Sequence, residues 1–289
     1  MKALLSPRDL AEAIGVSESS IKRWADDGVI QAERTAGGHR RIPITEAVRY
    51  LRESRATLSN PAALGLEDVV VANDPGDQRP PEERLFEDLR HGRSQRARGL
   101  LLSLFLEGAS IAQIVDGPLR IAMRRVGELW LQGEEGIFRE HRATDITIQG
   151  LHQIRSVVAP PPDSAMAAVG GAPTGDPYMI PSLAVSTLLE VEGFRATNLG
   201  PETPSSTLLE AVRALAPKMV WISISTADQP ARLSAEIRHL LDKLSKHGVL
   251  LMLGGKKVRE VDLPAKNPRL FVGDSMAELA AFARGLAAS

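Results

Sequence analysis

Cysteine is absent from the chain. That excludes disulfides, cysteine-ligated zinc, iron–sulfur clusters and thiol nucleophiles, and makes the cytoplasm the default compartment. No apolar run approaches the roughly 20 residues that span a bilayer, so no membrane is expected as a partner. The opening Met1-Lys2-Ala3-Leu4-Leu5-Ser6-Pro7 meets Asp9 and Glu12 too early for a secretory signal. Charge of one sign is not in excess either: 35 Lys and Arg face 36 Asp and Glu, a formal net of −1. Bulk basicity therefore gives no argument for nucleic acid, and any such case must be local. No internal repeat is visible, and 43% hydrophobic with 25% charged residues excludes wholesale disorder or fibre. The 289 residues suffice for two domains and a small third.

Two proline-rich stretches divide the chain. Residues 56–81 hold Asn60-Pro61, Asp74-Pro75-Gly76-Asp77 and Arg79-Pro80-Pro81. They show little helical periodicity and are expected to form a linker that lets the head move. Residues 159–164, Ala-Pro-Pro-Pro-Asp-Ser, read as a stiff spacer. The expected organisation is multi-domain, α plus α/β: a head over 1–55, the linker over 56–81, a helical bundle over 82–158 and an α/β domain over 164–289.

In the head, Ser6-Pro7 opens a helix with proline at its first position and Asp9 near the positive end of its dipole. Leu10, Ala13 and Ile14 form its apolar face. Gly15-Val16 makes a tight turn and Ser17 caps a second helix, in which Ile21, Trp24 and Ala25 point inward. Two short helices joined by a glycine turn are the helix-turn-helix pattern. Ser17, Ser19, Ser20, Lys22 and Arg23 are left outside, a set suited to phosphates and base edges in a major groove. Gly37-Gly38-His39-Arg40-Arg41 follows as a glycine turn into a basic strand. Only ten cations against eight carboxylates lie in residues 1–55, so one head alone binds weakly, which points to dimers or tetramers on repeated half-sites.

The motifs Ile14-Gly15-Val16-Ser17, Ile21-Lys22-Arg23-Trp24, Gly28-Val29-Ile30 and Gly37-Gly38-His39-Arg40-Arg41 resemble the winged helix-turn-helix head of the MerR and excisionase families. The resemblance implies binding to double-stranded DNA, with His39, Arg40 and Arg41 on the wing.

Residues 82–158 are helical in pattern almost throughout. Leu85, Leu89, Leu100, Leu101, Leu104, Phe105, Ile111, Ile114, Val115, Leu119, Met123 and Val126 recur at three- and four-residue spacings, giving a four-helix bundle. Within it, Trp130 precedes the pair Glu140-His141 by a helix end, a loop and a helix start, so that all three can share one surface. Residue chemistry alone is equally served by a core Trp130, a helix-capping Glu140 and an exposed His141. The W-x9-E-H spacing is similar to the cap domain of cobalamin-binding MerR-type regulators, light-responsive repressors that use adenosylcobalamin. The resemblance implies that Trp130 covers the adenosyl group and that Glu140 and His141 line the same face.

Beyond the spacer, strands and helices alternate with short turns, which demands a parallel, flavodoxin-like sheet of about five strands. Ligands of such sheets bind at the carboxyl ends of the strands, here Gly170–Asp176, Gly200–Thr203, Ser223–Asp228 and Gly254-Gly255. Ser223, Ser225, Thr226, Gly254 and Gly255 resemble the cobalamin-binding domain, where small residues let a nucleotide tail slide between sheet and helix. Asp176 matches the first residue of that family's Asp-x-His-x-x-Gly loop. Tyr178 stands where the cobalt-ligating His belongs, and Pro181 replaces the glycine. A phenol with a pKa near 10 is a poor substitute for imidazole toward cobalt. Three readings stay open: cobalamin with another lower ligand or none, another tetrapyrrole with His141 as a ligand, or an oligomerisation module that binds nothing. No nucleophile–base–acid triad and no substrate barrel is present, so a transcriptional regulator rather than an enzyme is expected.

Overall fold

The computed structural model describes residues 1–74, 76–264 and 267–287. Pro75 of the expected linker and residues 265, 266, 288 and 289 of the α/β domain lie outside them. Contacts group the chain into two compact units, Met1–Ser110 with Gly117–Ala159, and Ile111–Asp116 with Pro160–Ser289.

The first unit opens with β1 (Leu4–Leu5), α1 (Pro7–Ile14), α2 (Glu18–Asp26), β2 (Glu33–Arg34), β3 (Arg40–Pro43) and α3 (Ile44–Ser54). Ser6 caps α1 in a reciprocal box: its hydroxyl accepts from Asp9 N–H, and the Asp9 carboxylate accepts from Ser6 N–H at 2.7 Å. Gly15 closes that helix with φ 73°, a left-handed conformation that glycine adopts without strain. The strands form an antiparallel sheet in the order β1-β3-β2. Leu5, Leu10, Ile21, Ile30, Ile42, Ala47 and Leu51 are the buried core of this part.

The expected linker is a packed segment. Pro61–Leu64 forms a 3-10 turn and Glu67–Ala72 a helix, α4. Ser59 and Asn60 N–H both donate to Ala13 O, and Lys2 Nζ donates to Ala63 O. The helix was hidden from the periodicity because it is short and flanked by prolines. It lies against α6 because Gly99 has no side chain: a Cβ there would meet Asp68 O at 1.9 Å. The head is likewise docked rather than free, with Arg52 of α3 reaching carbonyls of Phe105 and Ala109.

The helical part consists of α5 (Pro81–Arg90), α6 (Ser94–Leu106), α8 (Arg120–Glu128) and α9 (Glu134–Ser156). The short α7 (Ile111–Ile114) was expected in the bundle but belongs to the second unit. Its apolar residues fit either core by periodicity. The decision falls at Asp116, whose carboxylate accepts from Met276 and Ala277 N–H at the start of α13 (Met276–Ala287).

The second unit is a five-stranded parallel sheet, β4 (Ala167–Gly171), β5 (Arg195–Asn198), β6 (Met219–Ser223), β7 (Leu250–Gly254) and β8 (Leu270–Val272). Its order is β5-β4-β6-β7-β8, the flavodoxin-like order expected from strand–helix alternation. Between the strands run α10 (Ile180–Val191), α11 (Ser205–Leu215) and α12 (Pro230–Lys246). Val169, Val220, Ile222, Leu251 and Leu253 pack on Leu208 and Val212 of α11 and Ile237, Leu240 and Leu244 of α12. Each such side chain contributes ~1.5–3 kcal/mol on burial. α10 lies on β4 and β5, and α13 on α10. Pro181 sits in the first turn of α10, where its missing N–H has no intrahelical role. Thr203, just before α11, donates its hydroxyl to Gly200 O at 3.1 Å.

Candidate functional site

On the head, the Ser17 hydroxyl accepts from Ser20 N–H at 3.1 Å and lies 2.8 Å from the hydroxyls of both Ser19 and Ser20. Two of the expected cations are already engaged: Lys22 pairs with Glu18 at 2.7 Å, and Arg40 forks onto Asp26 at 2.6 and 2.8 Å. The Arg40 guanidinium holds the Asp26 carboxyl below its usual range and ties β3 to the end of α2. Arg23 and Arg41 have no carboxylate partner among the described residues. His39 is exposed at the tip of the β2–β3 turn, its N–H donating to Thr35 Oγ1.

In the helical part, Trp130, Glu140 and His141 do meet. Trp130 lies in a 3-10 turn, Leu129–Gln132, and Glu140 and His141 lie two turns into α9, so Glu140 is not a helix cap. Trp130 Nε1 donates to Glu140 Oε2 at 3.4 Å, Thr144 Oγ1 donates to Glu140 Oε1 at 2.8 Å, and the Trp130 and His141 rings are 6.4 Å apart. Trp130 is not core: it is 52% exposed, beside Leu131 at 90% and Phe138 at 59%. A large aromatic held by a carboxylate yet left in solvent forms an apolar platform. Two glycines shape it. Gly133 has φ 75° and ψ −155°, and at Gly136 a Cβ would meet Leu129 O at 1.8 Å.

At the strand ends of the second unit, Asp176 is fully buried and entirely used by backbone. Its Oδ2 accepts from Ser225 and Thr226 N–H, its Oδ1 from Tyr178 N–H at 3.1 Å. Thr226 Oγ1 donates back to Gly175 O at 3.0 Å, and Gly175 N–H donates to Glu202 at 2.8 Å. The loop after β4 is thereby latched to the loop after β6. Tyr178 stands 52% exposed, Ser223 is buried, and Ser225 Oγ is buried with no hydrogen-bond partner among the described residues. Gly255 has a packing reason of its own: with φ 107°, a Cβ would meet Ile224 O at 2.3 Å. Gly254 has no such crowding.

Burial pushes the Asp176 carboxyl up from its ordinary value of 3.8, against the pull of its three N–H donors. A carboxyl raised on folding stabilises fully below its unfolded pKa, and that stabilisation is lost as pH climbs through the folded value. The wild-type stability advantage over Asp176→Asn is therefore expected to shrink as pH rises from about 3.8. Urea unfolding of both proteins across pH measures it; a constant difference would exclude this titration.

The residues fit cobalamin in part. In the first unit the exposed Trp130 platform suits a large flat ligand; in the second, taken by itself, the buried Ser225 hydroxyl has no hydrogen-bond partner among the described residues. The lower-ligand position does not fit, because Tyr178 offers no imidazole. Among the described residues no group of three His, Asp or Glu could hold a metal ion, and His141 stands beside a single carboxylate, Glu140, at 3.6 Å. Sequence reasoning missed the latch and its partner Glu202. An aspartate at a strand end, followed by proline, signals a turn but not which distant N–H groups it receives.

Residues 81–155 match the family model of the B12 binding domain. The chain is 26% identical over 261 residues to the HTH-type transcriptional repressor CarA of Myxococcus xanthus, covering 88% of this chain and 87% of that protein. It is 25% identical over 153 residues to dimethylamine corrinoid protein 1 of Methanosarcina acetivorans, 50% of this chain and 68% of that protein. A solved monomethylamine corrinoid protein of Methanosarcina barkeri superposes with a TM-score of 0.49 at 19% identity, over 70% of this chain and 96% of that one. No helix among the described residues is long and apolar enough to cross a membrane. Residues 81–155 are thus similar to a B12 binding domain, and cobalamin is the cofactor with which that match connects the chain.

Proposed function

We propose that the chain is a transcriptional regulator with a MerR-like winged helix-turn-helix head on duplex DNA and a corrinoid-binding module that controls its assembly there. The observation that carries this reading is the division of labour among the head's cations. Arg40 is spent on Asp26 and fixes the wing, whereas Arg23 and Arg41 have no carboxylate partner among the described residues. Guanidinium groups without a carboxylate partner among the described residues, on the same head as the exposed Ser17 and Ser19, suit phosphate contacts, and α2 lies in the order of elements that places a recognition helix in a major groove.

In the corrinoid module Trp130 supplies the aromatic surface and Glu140 orients its indole. A bound corrinoid would supply the light-labile or exchangeable upper ligand, while the protein's own residues set packing and assembly. Dimers or tetramers would engage several heads on repeated half-sites, converting ligand state into occupancy through effective concentration. The chain acts as a regulator and not as an enzyme in this reading.

Arg23→Ala and Arg41→Ala are each expected to weaken binding to the DNA upstream of the protein's own gene, with the slope of log K against log salt falling by about one per lost phosphate contact. Fluorescence anisotropy at several salt concentrations measures both; unchanged affinity and slope would refute the DNA assignment. The exposed Tyr178 favours a second reading, a ligand-independent scaffold in which the second unit serves oligomerisation alone. Absorption spectra of purified protein mixed with adenosylcobalamin distinguish the two, since a scaffold takes up no pigment.

A further inference from the structure

We propose that the second unit is closed to a nucleotide tail, so that a corrinoid is taken with its benzimidazole outside the sheet. This rests on the corrinoid reading above and specifies its binding mode.

Small residues at the strand ends suggest a slot between the sheet and α10 into which such a tail could thread. That space is filled by Trp221. Its side chain is 1% exposed, and it lies so close to β4 that a Cβ on Gly170 would come within 2.3 Å of Cδ2 of the indole. Trp221 Nε1 donates to Ser182 Oγ of α10 at 3.1 Å, and Ser182 Oγ donates to Asn198 Oδ1 at 2.6 Å. Ser182 itself is fully buried. The indole is therefore fixed between β4, β6 and α10 with its one polar atom satisfied, which leaves it no reason to swing out.

Indole and benzimidazole share the same fused six- and five-membered ring frame. The protein's own side chain thus fills the kind of flat slot that the end of a cobalamin tail requires, and the two cannot share it. The rim of this layer is closed as well. Asp176 receives the N–H groups of Ser225 and Thr226, and Thr226 Oγ1 ties back to Gly175 O. Tyr178 stands where the lower cobalt ligand would be. That loop holds no imidazole to replace the benzimidazole, so it does not reward pulling the base off the metal.

The test titrates the full-length protein with adenosylcobalamin and with adenosylcobinamide, which lacks the nucleotide tail, and records the absorption spectrum of each complex. The expected result is that cobinamide binds as well as cobalamin, within about threefold, and that bound cobalamin keeps its base-on spectrum. Cobalamin preferred by more than about tenfold, equivalent to ~1.4 kcal/mol, would overturn the proposal, as would a base-off spectrum, while leaving the corrinoid reading intact. Binding of neither compound would overturn both together.

Discussion

Alanine in place of Gly136 is expected to destabilise the first unit by about 2–3 kcal/mol and to lower its melting midpoint by ~4–10 °C. The added methyl would lie 1.8 Å from Leu129 O, a backbone atom that cannot rotate away. Relief requires α9 to move off the 3-10 turn that carries Trp130. The 3.4 Å contact from Trp130 Nε1 to Glu140 is already long, so a small displacement breaks it. Corrinoid affinity is therefore expected to fall together with stability. Gly127→Ala is the internal control: this glycine lies in α8 with nothing within 4 Å of a new Cβ. Its replacement is expected to leave stability unchanged or raise it by about 0.5–1 kcal/mol, the usual gain from replacing glycine within a helix. Thermal melts and adenosylcobalamin titrations of both variants make the comparison; equal melting of the two would show that the Gly136 approach does not hold the platform.

The same residue shows how far the sequence could be read. The spacing of Trp130, Glu140 and His141 identified a shared surface, and the structure assembles it. Gly133 and Gly136 lie between them, but only coordinates show that one supplies a dihedral and the other a close approach. The five-stranded sheet was legible because strand–helix alternation admits few topologies. The helices α4 and α7 were not. Each is six residues or shorter, and Ile111 and Ile114 carry no label saying which core will receive them. The role of Asp176 was equally hidden, since a carboxylate's partners across 49 residues of chain are a property of the fold. Trp221 lies in the apolar stretch Met219-Val220-Trp221-Ile222, and nothing local sets it apart. Its consequence appears only when Gly170 and Ser182 are found on either side of it.

Removal of Arg52 is expected to have the second large effect, because this one side chain spans from the head to the bundle. Its Nη1 donates to Phe105 O and to Ala109 O, the latter at 3.1 Å, and its guanidinium lies 3.8 Å over the Phe105 ring. These carbonyls close the C-terminal end of α6, where orphaned acceptors and the negative end of the dipole favour a cation. Burial lowers the Arg52 pKa from its ordinary value, and a guanidinium stays protonated in proteins. Charge-assisted hydrogen bonds are worth about 1.5–3 kcal/mol, and a partly desolvated cation–π contact adds ~0.5–2 kcal/mol. Arg52→Ala is therefore expected to cost about 2–4 kcal/mol and to raise amide exchange through α1, α2 and α3, which the lost tie no longer restrains. Arg52→Lys is expected to recover less than half of this, since an ammonium neither forks between two carbonyls nor stacks flat on a ring. Hydrogen exchange resolved by segment separates docking from general loosening. Protection lost in α1–α3 but kept in α9 supports a head clamped through Arg52. Exchange unchanged in the head would mean that the 59–64 turn under α1 holds it without help.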